Sequence, residues 1–192
     1  MTTADRLHLT GNEAADRLLA TDPLALLIGF ALDQQVTVQK AFSGPLDLRE
    51  RLGHLDAARI AAIEPAELDA IFRTRPALHR FPGSMATKVG QLCKAIADDY
   101  NNDAARIWSE ATDGADLVSR IMALPGFGEM KTRGVIAVLH HRLGVTLPGI
   151  DDVLPTYPTL GDVDSDEALA EYQAGKRAHK AELRAAGKPS TP

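Results

Sequence analysis

The chain has 192 residues, of which 45% are hydrophobic and 24% charged, with a formal net charge of −5. A chain of this length can bury a core without disulfides or metal ions. Its single cysteine, Cys93, excludes an internal disulfide framework, a four-cysteine zinc site and a cysteine-ligated cluster within one chain. The negative charge excludes a general polycation, so a nucleic-acid site would need an uneven charge distribution.

The composition predicts an all-α protein. Alanine and leucine recur throughout, aromatic residues are only 5%, and no segment alternates polar and apolar residues as a strand does. The first 16 residues contain no apolar signal segment, and no apolar run reaches the roughly 18 residues of a membrane span. We therefore expect a cytoplasmic protein without a membrane partner, in which Cys93 is a core residue.

Apolar residues at helical spacing predict ten helices. The first begins with a capping box formed by Thr10 and Glu13. The second is almost wholly apolar up to Leu32 and then turns polar, which is typical of a buried helix whose end emerges at a polar place. In chain order the predicted helices are 11–20, 23–42, 47–52, 57–63, 65–73, 84–100, 103–111, 113–124, 129–143 and 165–186, with a proline-rich connector over 148–161 and a frayed tail after Gly187.

Charge is unevenly distributed along the chain. Residues 70–97 contain basic residues and no acid, whereas residues 161–172 contain acids and no lysine or arginine. Such runs are equally typical of solvated helix faces and of a nucleic-acid surface. The basic set is Arg73, Arg75, Arg80, Lys88 and Lys94, and the acidic set is Asp162, Asp164, Asp166, Glu167 and Glu171.

The turn Leu124-Pro125-Gly126-Phe127-Gly128 lies between two predicted amphipathic helices. Two glycines one residue apart permit a tight turn and leave its amides uncovered by side chains. The turn opens onto the N-terminus of the next helix, where unpaired amides and the helix dipole favour an anion such as a DNA phosphate. Lys131 and Arg133 add positive charge nearby. We expect the hairpin glycines, Phe127 and these two cations to form a phosphate contact.

This hairpin resembles that of the helix-hairpin-helix base-excision DNA glycosylases (the HhH-GPD superfamily), which include endonuclease III and the adenine and alkyladenine glycosylases. The resemblance covers about residues 24–144. In that family a glutamine after a buried early helix enters the DNA stack, and here Gln35 matches best, with Gln34 next. Lys88, on the helix before the hairpin, is a further expected DNA contact. The alternative is that the two glutamines are solvated helix residues.

The resemblance also implies the catalytic groups. Family members stabilise an oxocarbenium-like sugar with a carboxylate, and bifunctional members add a lysine that attacks C1′. The lysine position, two residues after the second hairpin glycine, is Met130, and Lys131 is rotated by about 100° from it. We therefore expect Lys131 to reach phosphate or solvent and predict no lyase activity. The expected carboxylate is Asp152, with Asp151 as the close alternative, although both could be ordinary turn residues.

Further expectations follow from the resemblance. The chain lacks the cysteines of the family's iron-sulfur cluster, so we expect no cofactor beyond a monovalent cation at the hairpin and no metal site. A terminal lobe (1–22 and 145–192) and a central helical domain (23–144) would form a cleft.

His140 and His141 point about 100° apart and cannot share one site. Trp108 is expected in the core.

The leading hypothesis is therefore a monomeric, monofunctional DNA N-glycosylase. Its partner would be double-stranded DNA containing a damaged or mispaired base, and in a bacterium it would associate with the nucleoid. Two alternatives stay open. One is a catalytically silent helix-hairpin-helix DNA-binding module. The other is a helical protein-interaction domain, which would show no salt-dependent DNA affinity.

Overall fold

The protein, in a computed structural model that describes residues 3–185, is all-α over that range. No strand occurs between residues 3 and 185. The helices are α1 (Glu13–Thr21), α2 (Pro23–Leu32), α3 (Val38–Leu52), α4 (Ala57–Ala61), α5 (Pro65–Arg73), α6 (Pro82–Asp99), α7 (Arg106–Ser109), α8 (Gly114–Met122), α9 (Glu129–His141) and α10 (Asp166–Ala185), with 3-10 turns at Asp151–Val153 and Leu160–Asp162 before α10.

Helix α1 is capped by a different residue from the one predicted. Asn12 accepts hydrogen bonds from the amides of Ala14 and Ala15, at 2.9 and 3.2 Å. Thr10 instead accepts a bond from the Asn12 amide, and Glu13 pairs with Arg17 one turn later. The predicted capping box is therefore wrong, because Asn12 is an equally good cap two residues closer to the helix.

The predicted helix 23–42 is two helices, α2 and α3. Every residue of α2 after Pro23 is buried, so its polar continuation cannot extend along the same axis into the core. The chain leaves the helical conformation at Asp33 and turns through Gln35, which has a φ of 56°. Thr37 then caps α3, which also absorbs the predicted helix 47–52.

The other boundaries agree with the prediction to within two residues, apart from α7, where the predicted helix 103–111 shortens to Arg106–Ser109. The connector contains two 3-10 turns rather than at most one short helical turn. Ser165 caps α10 as predicted, since its hydroxyl accepts a bond from the Ala168 amide at 3.1 Å. The predicted tail after Gly187 lies entirely outside the described residues.

Helix α2 lies at the centre of the core and packs against α1, α3, α6 and α9. One cluster of buried side chains runs from Leu7 to Leu169 and so takes residues from both predicted lobes. The division into two lobes stays a prediction. Cys93 is fully buried, and burial raises the pKa of its thiol to about 12, as expected of a core residue. Trp108 packs partly buried against the same core.

The second 3-10 turn fastens the connector onto α9. Gly161 approaches the backbone of Ala137 so closely that a Cβ on Gly161 would lie 2.5 Å from the Ala137 carbonyl carbon. Thr159 and Asp162 hold the turn through a reciprocal capping box. Glycine is therefore required here by space, and the contact fixes where α10 begins relative to α9.

Within residues 3–185, no helix combines the length and the hydropathy that crossing a bilayer requires.

Candidate nucleic-acid interface

The hairpin between α8 and α9 is a tight turn, as its sequence predicts, but only one of its two glycines adopts a positive φ. Leu124 and Phe127 are buried anchors, and the Phe127 amide donates to the Leu124 carbonyl at 3.1 Å. Gly126 adopts a φ of +85°, whereas Gly128 is extended and directly precedes α9. A Cβ on either glycine would meet no described atom within 4 Å, so both backbones face open space. No side chain of the described residues caps α9, so the first N–H groups of α9 can donate to a bound anion.

The side chains around the hairpin are less positive than the sequence suggested. Glu129, the first residue of α9, has a side chain that is 75% exposed and opposes an approaching phosphate. Arg133 donates to the Val153 carbonyl and lies 3.8 Å from Glu129. Its guanidinium is therefore engaged with the protein itself, and its predicted phosphate contact stays a prediction.

Lys131 points into the protein rather than toward phosphate or solvent. Its Nζ is buried, has no hydrogen-bond partner among residues 3–185, and lies 5.4 Å from the centre of the Phe127 ring. Because α9 begins at Glu129, position 131 lies in line with Val135 and Val138, which are both fully buried. The exposed neighbour is Met130, at 57%. The sequence argument placed Lys131 on the wrong face of the helix.

Burial lowers the pKa of Lys131 to about 8, an effect that nearby Lys88 reinforces and the carboxylate of Asp33 opposes. An amine with this pKa is partly unprotonated near neutral pH, which an ordinary surface lysine is not. It therefore has the property of a nucleophilic or proton-accepting amine.

Asp33 is the carboxylate whose charge acts on Lys131. It ends α2, and burial raises its pKa while the positive charges of Lys176 and Lys131 oppose that rise. The sequence marked this position as the polar exit of a buried helix but did not identify Asp33 as a site residue. The sequence signal that could have identified Asp33 is its position directly after a fully apolar helix, because a carboxylate at that position starts within the core.

The turn after α2 presents Gln35 to solvent and holds Gln34 in place. Gln34 donates from Nε2 to the Ala31 carbonyl at 3.0 Å and accepts from Lys88 Nζ at 2.6 Å. Gln35 is exposed and has left-handed backbone geometry. Three of the predicted DNA contacts meet at this turn, and two of them, Gln34 and Lys88, hold each other across 54 residues of sequence. Only Gln35 is free to project outward.

Helix α10 brings Tyr172 and Lys176 near Asp33, which the sequence did not reveal. Burial raises the pKa of Tyr172, and Lys176 lies 5.3 Å from the centre of its ring. Gln173 donates to the Gln39 side chain at 2.8 Å, joining α10 to α3. The helical spacing of Tyr172 and Lys176 puts both on one face, but only the tertiary structure shows that this face meets Asp33.

Asp151 and Asp152 lie beside α9, since the carbonyl of the next residue, Val153, accepts from Arg133 near the start of that helix. Both are exposed in the first 3-10 turn, and Asp151 lies 3.8 Å from His140 near the C-terminal end of α9. His140 follows Lys131 by nine residues, or roughly 14 Å along a helix. Among residues 3–185, no hydrogen bond or ion pair joins either aspartate to Gln35 or Lys131, so their catalytic role stays a prediction. His141 contacts Asp162 instead, at 3.4 Å, consistent with the two histidines facing separate partners.

The basic stretch is partly neutralised by acids just outside it. Arg73 pairs with Asp69 at 2.7 Å, and Lys94 pairs with Asp98 at 2.8 Å. Arg80 lies over the exposed ring of Phe81. Between residues 3 and 185, no three histidine, cysteine or carboxylate side chains gather in a way that could hold a metal ion.

Searches with protein-family models, against characterised proteins and against solved structures give no match. The likeness to the glycosylases therefore depends on the residues quoted above.

Replacing Lys131 with methionine should stabilise the protein by about 1–3 kcal/mol at pH 7, because an apolar side chain of similar length avoids the burial of an ammonium group. The lysine pKa is lower in the folded state, about 8 against 10.5, so the folded protein is penalised while Lys131 is charged. The advantage should be full below about pH 8 and decline until about pH 10.5.

Urea unfolding of both proteins at pH 7 and pH 10 measures this difference. Lys94→Met on the surface of α6 is the control and should give no such gain. A Lys131→Met protein that is less stable than wild type at pH 7 would contradict the burial of an uncompensated amine.

Proposed function

We propose that this protein is a DNA N-glycosylase of the helix-hairpin-helix type, acting on a damaged or mispaired base in double-stranded DNA. The observation that supports this proposal is that the N-terminal end of α9 combines two features. The uncovered amides of the hairpin lie at the start of α9, and the buried amine of Lys131 lies within the first turn of the same helix. A phosphate held at the first would bring the adjoining nucleotide close to the second.

Phosphate binding would use the backbone of Gly126 and Gly128. Because both positions are open and α9 lacks a side-chain cap, the amides and the helix dipole are available to an anion. Exposed cations on other faces, among them Arg80, would supply the remaining attraction that a chain of net charge −5 needs locally.

Gln35 would occupy the gap that an extruded base leaves. It is exposed on a turn fixed by the Gln34 contacts with Ala31 and Lys88, so it does not need to be ordered when DNA binds. In this proposal Lys88 and Gln34 are positioning residues for Gln35 rather than DNA contacts.

Asp33 is the carboxylate that the geometry favours for stabilising a sugar cation, ahead of Asp152 and Asp151. It lies two residues from Gln35 and within the electrostatic reach of Lys131. A carboxylate in such a water-poor environment stabilises a developing positive charge more strongly than an exposed one.

Lys131 favours a second activity at the same site. Its amine could attack C1′ as the base leaves, giving an imine with the opened sugar, from which the 3′ phosphate departs by elimination. The prediction of no lyase activity rests on Met130 occupying the family's lysine position. The buried Nζ of Lys131 and its pKa near 8 support this second activity instead.

Gly128→Val should reduce affinity for duplex DNA at least tenfold while leaving the unfolding temperature nearly unchanged. The φ of −92° and the open surroundings accommodate valine, whose methyl groups then cover the amides. Glu129→Gln should raise affinity about threefold at low salt by removing a repulsive charge. Fluorescence anisotropy over a salt series measures both, with Gly175→Ala as the control glycine variant. Normal binding by Gly128→Val would refute the role of the hairpin.

Incubation with duplexes carrying uracil, alkylated purines, oxidised guanine or an A·G mismatch tests the chemistry. We expect strand cleavage on at least one duplex after alkali, with Asp33→Asn at least a hundredfold slower and Asp152→Asn close to wild type. Borohydride trapping of a covalent complex that Lys131→Met does not form would establish the lyase step. Salt-sensitive binding without cleavage on any duplex would favour the silent binding module, and no binding at all would favour the protein-interaction domain.

A further inference from the structure

A second polar site lies at the opposite end of α9 from the hairpin. The N-terminal segment lies against this end, and the Ala4 amide donates to the Arg142 carbonyl at 2.8 Å. Between them is an open groove of about 600 Å³, lined by residues 3–6 with His8, His141 and Arg142. A volume of this size is typical of small-molecule sites rather than of single-ion sites.

The groove has basic side chains that the fold does not neutralise. Among residues 3–185, neither Arg6 nor Arg142 has a carboxylate within 4 Å or a side-chain hydrogen bond. The one acid in its lining, Asp5, is directed to Arg17 at 3.4 Å. The acids beside the two histidines, Asp166 and Asp162, lie at 3.6 Å from His8 and 3.4 Å from His141.

Arg142 gives the second, independent observation. Its Nε is buried and meets no acceptor in the described part of the chain. Buried donors are normally satisfied, and a guanidinium donor left without an acceptor needs an explanation. Because no acceptor in the described part of the chain engages this guanidinium, it is available to an oxyanion, which it would bind through two parallel N–H donors.

We propose that this groove binds a phosphate or diphosphate group, held by Arg6 and Arg142 with His8 and His141 as neighbouring donors. Two guanidinium groups and two imidazoles match the several oxygens of a dianion better than the single plane of a carboxylate. Arg142 follows Lys131 by eleven residues, or roughly 16 Å of helix, so this site is separate from the proposed glycosylase site. The phosphate could come from a free nucleotide or from the end of a DNA strand.

Pyrophosphate is the probe, added at constant ionic strength to the full chain. It should raise the unfolding temperature of wild type and shift the His8 and His141 ring signals in NMR spectra, with His54 unaffected. Arg6→Gln and Arg142→Gln should each weaken binding at least fivefold, whereas Arg75→Gln, which removes an equal charge elsewhere, should not. Arg6 is exposed, so its variant keeps the test valid even if Arg142→Gln fails to fold.

Two further arms identify the source of the phosphate. Competition by adenosine diphosphate would point to a free nucleotide, and competition only by a 5′-phosphorylated duplex would point to a strand end. An absence of pyrophosphate binding by wild type, or an equal loss in Arg75→Gln, would overturn the proposal. In Gly128→Val the pyrophosphate-induced shifts of the His8 and His141 signals should persist, so a failure of this site and a failure of the hairpin can be told apart.

Discussion

The complete burial of helix α2 is the constraint on which the rest of the structure depends. Its residues from Leu24 to Leu32 are all buried, and four other helices pack around it. Such a helix cannot continue into a polar sequence without either burying unpaired groups or breaking. It breaks at Asp33, whose carboxylate acts electrostatically on Lys131 in the first turn of α9, while the following Gln34 contacts Ala31 and Lys88.

Placing Asp33 and Lys131 together lowers the stability of the fold. Lys131 enters the same region from α9 with its Nζ buried and without a hydrogen-bond partner among the described residues, and burial also disfavours the charged form of Asp33. A core optimised for stability would contain an apolar pair here. Uncompensated titratable groups beside an uncovered helix N-terminus are more typical of sites selected for binding or chemistry than of cores selected for stability. This contrast is the main physical reason for assigning function to this end of the molecule.

The sequence predicted what local patterns determine. Helix α5 has the predicted bounds, and the hairpin has its predicted turn, because Pro65 fixes a helical φ at the start of α5 and Gly126 permits the positive φ of the turn without help from distant residues. The sequence did not predict the break after Leu32 or the burial of Lys131. Both depend on how α2 and α9 pack, and a helical pattern alone cannot show which neighbours a face meets. The same limit explains why the sequence does not single out Asp33, whereas the family resemblance suggests Asp152.

The central claim is that Lys131 is a buried, reactive amine that Asp33 influences directly. NMR detection of the lysine side-chain signals across pH 6 to 11, with Lys131→Met for assignment, measures this. The account predicts a Lys131 transition near pH 8 in wild type and a lower one in Asp33→Asn, because that substitution removes the carboxylate that opposes the shift. A transition near the ordinary value of 10.5, unchanged in Asp33→Asn, would contradict it.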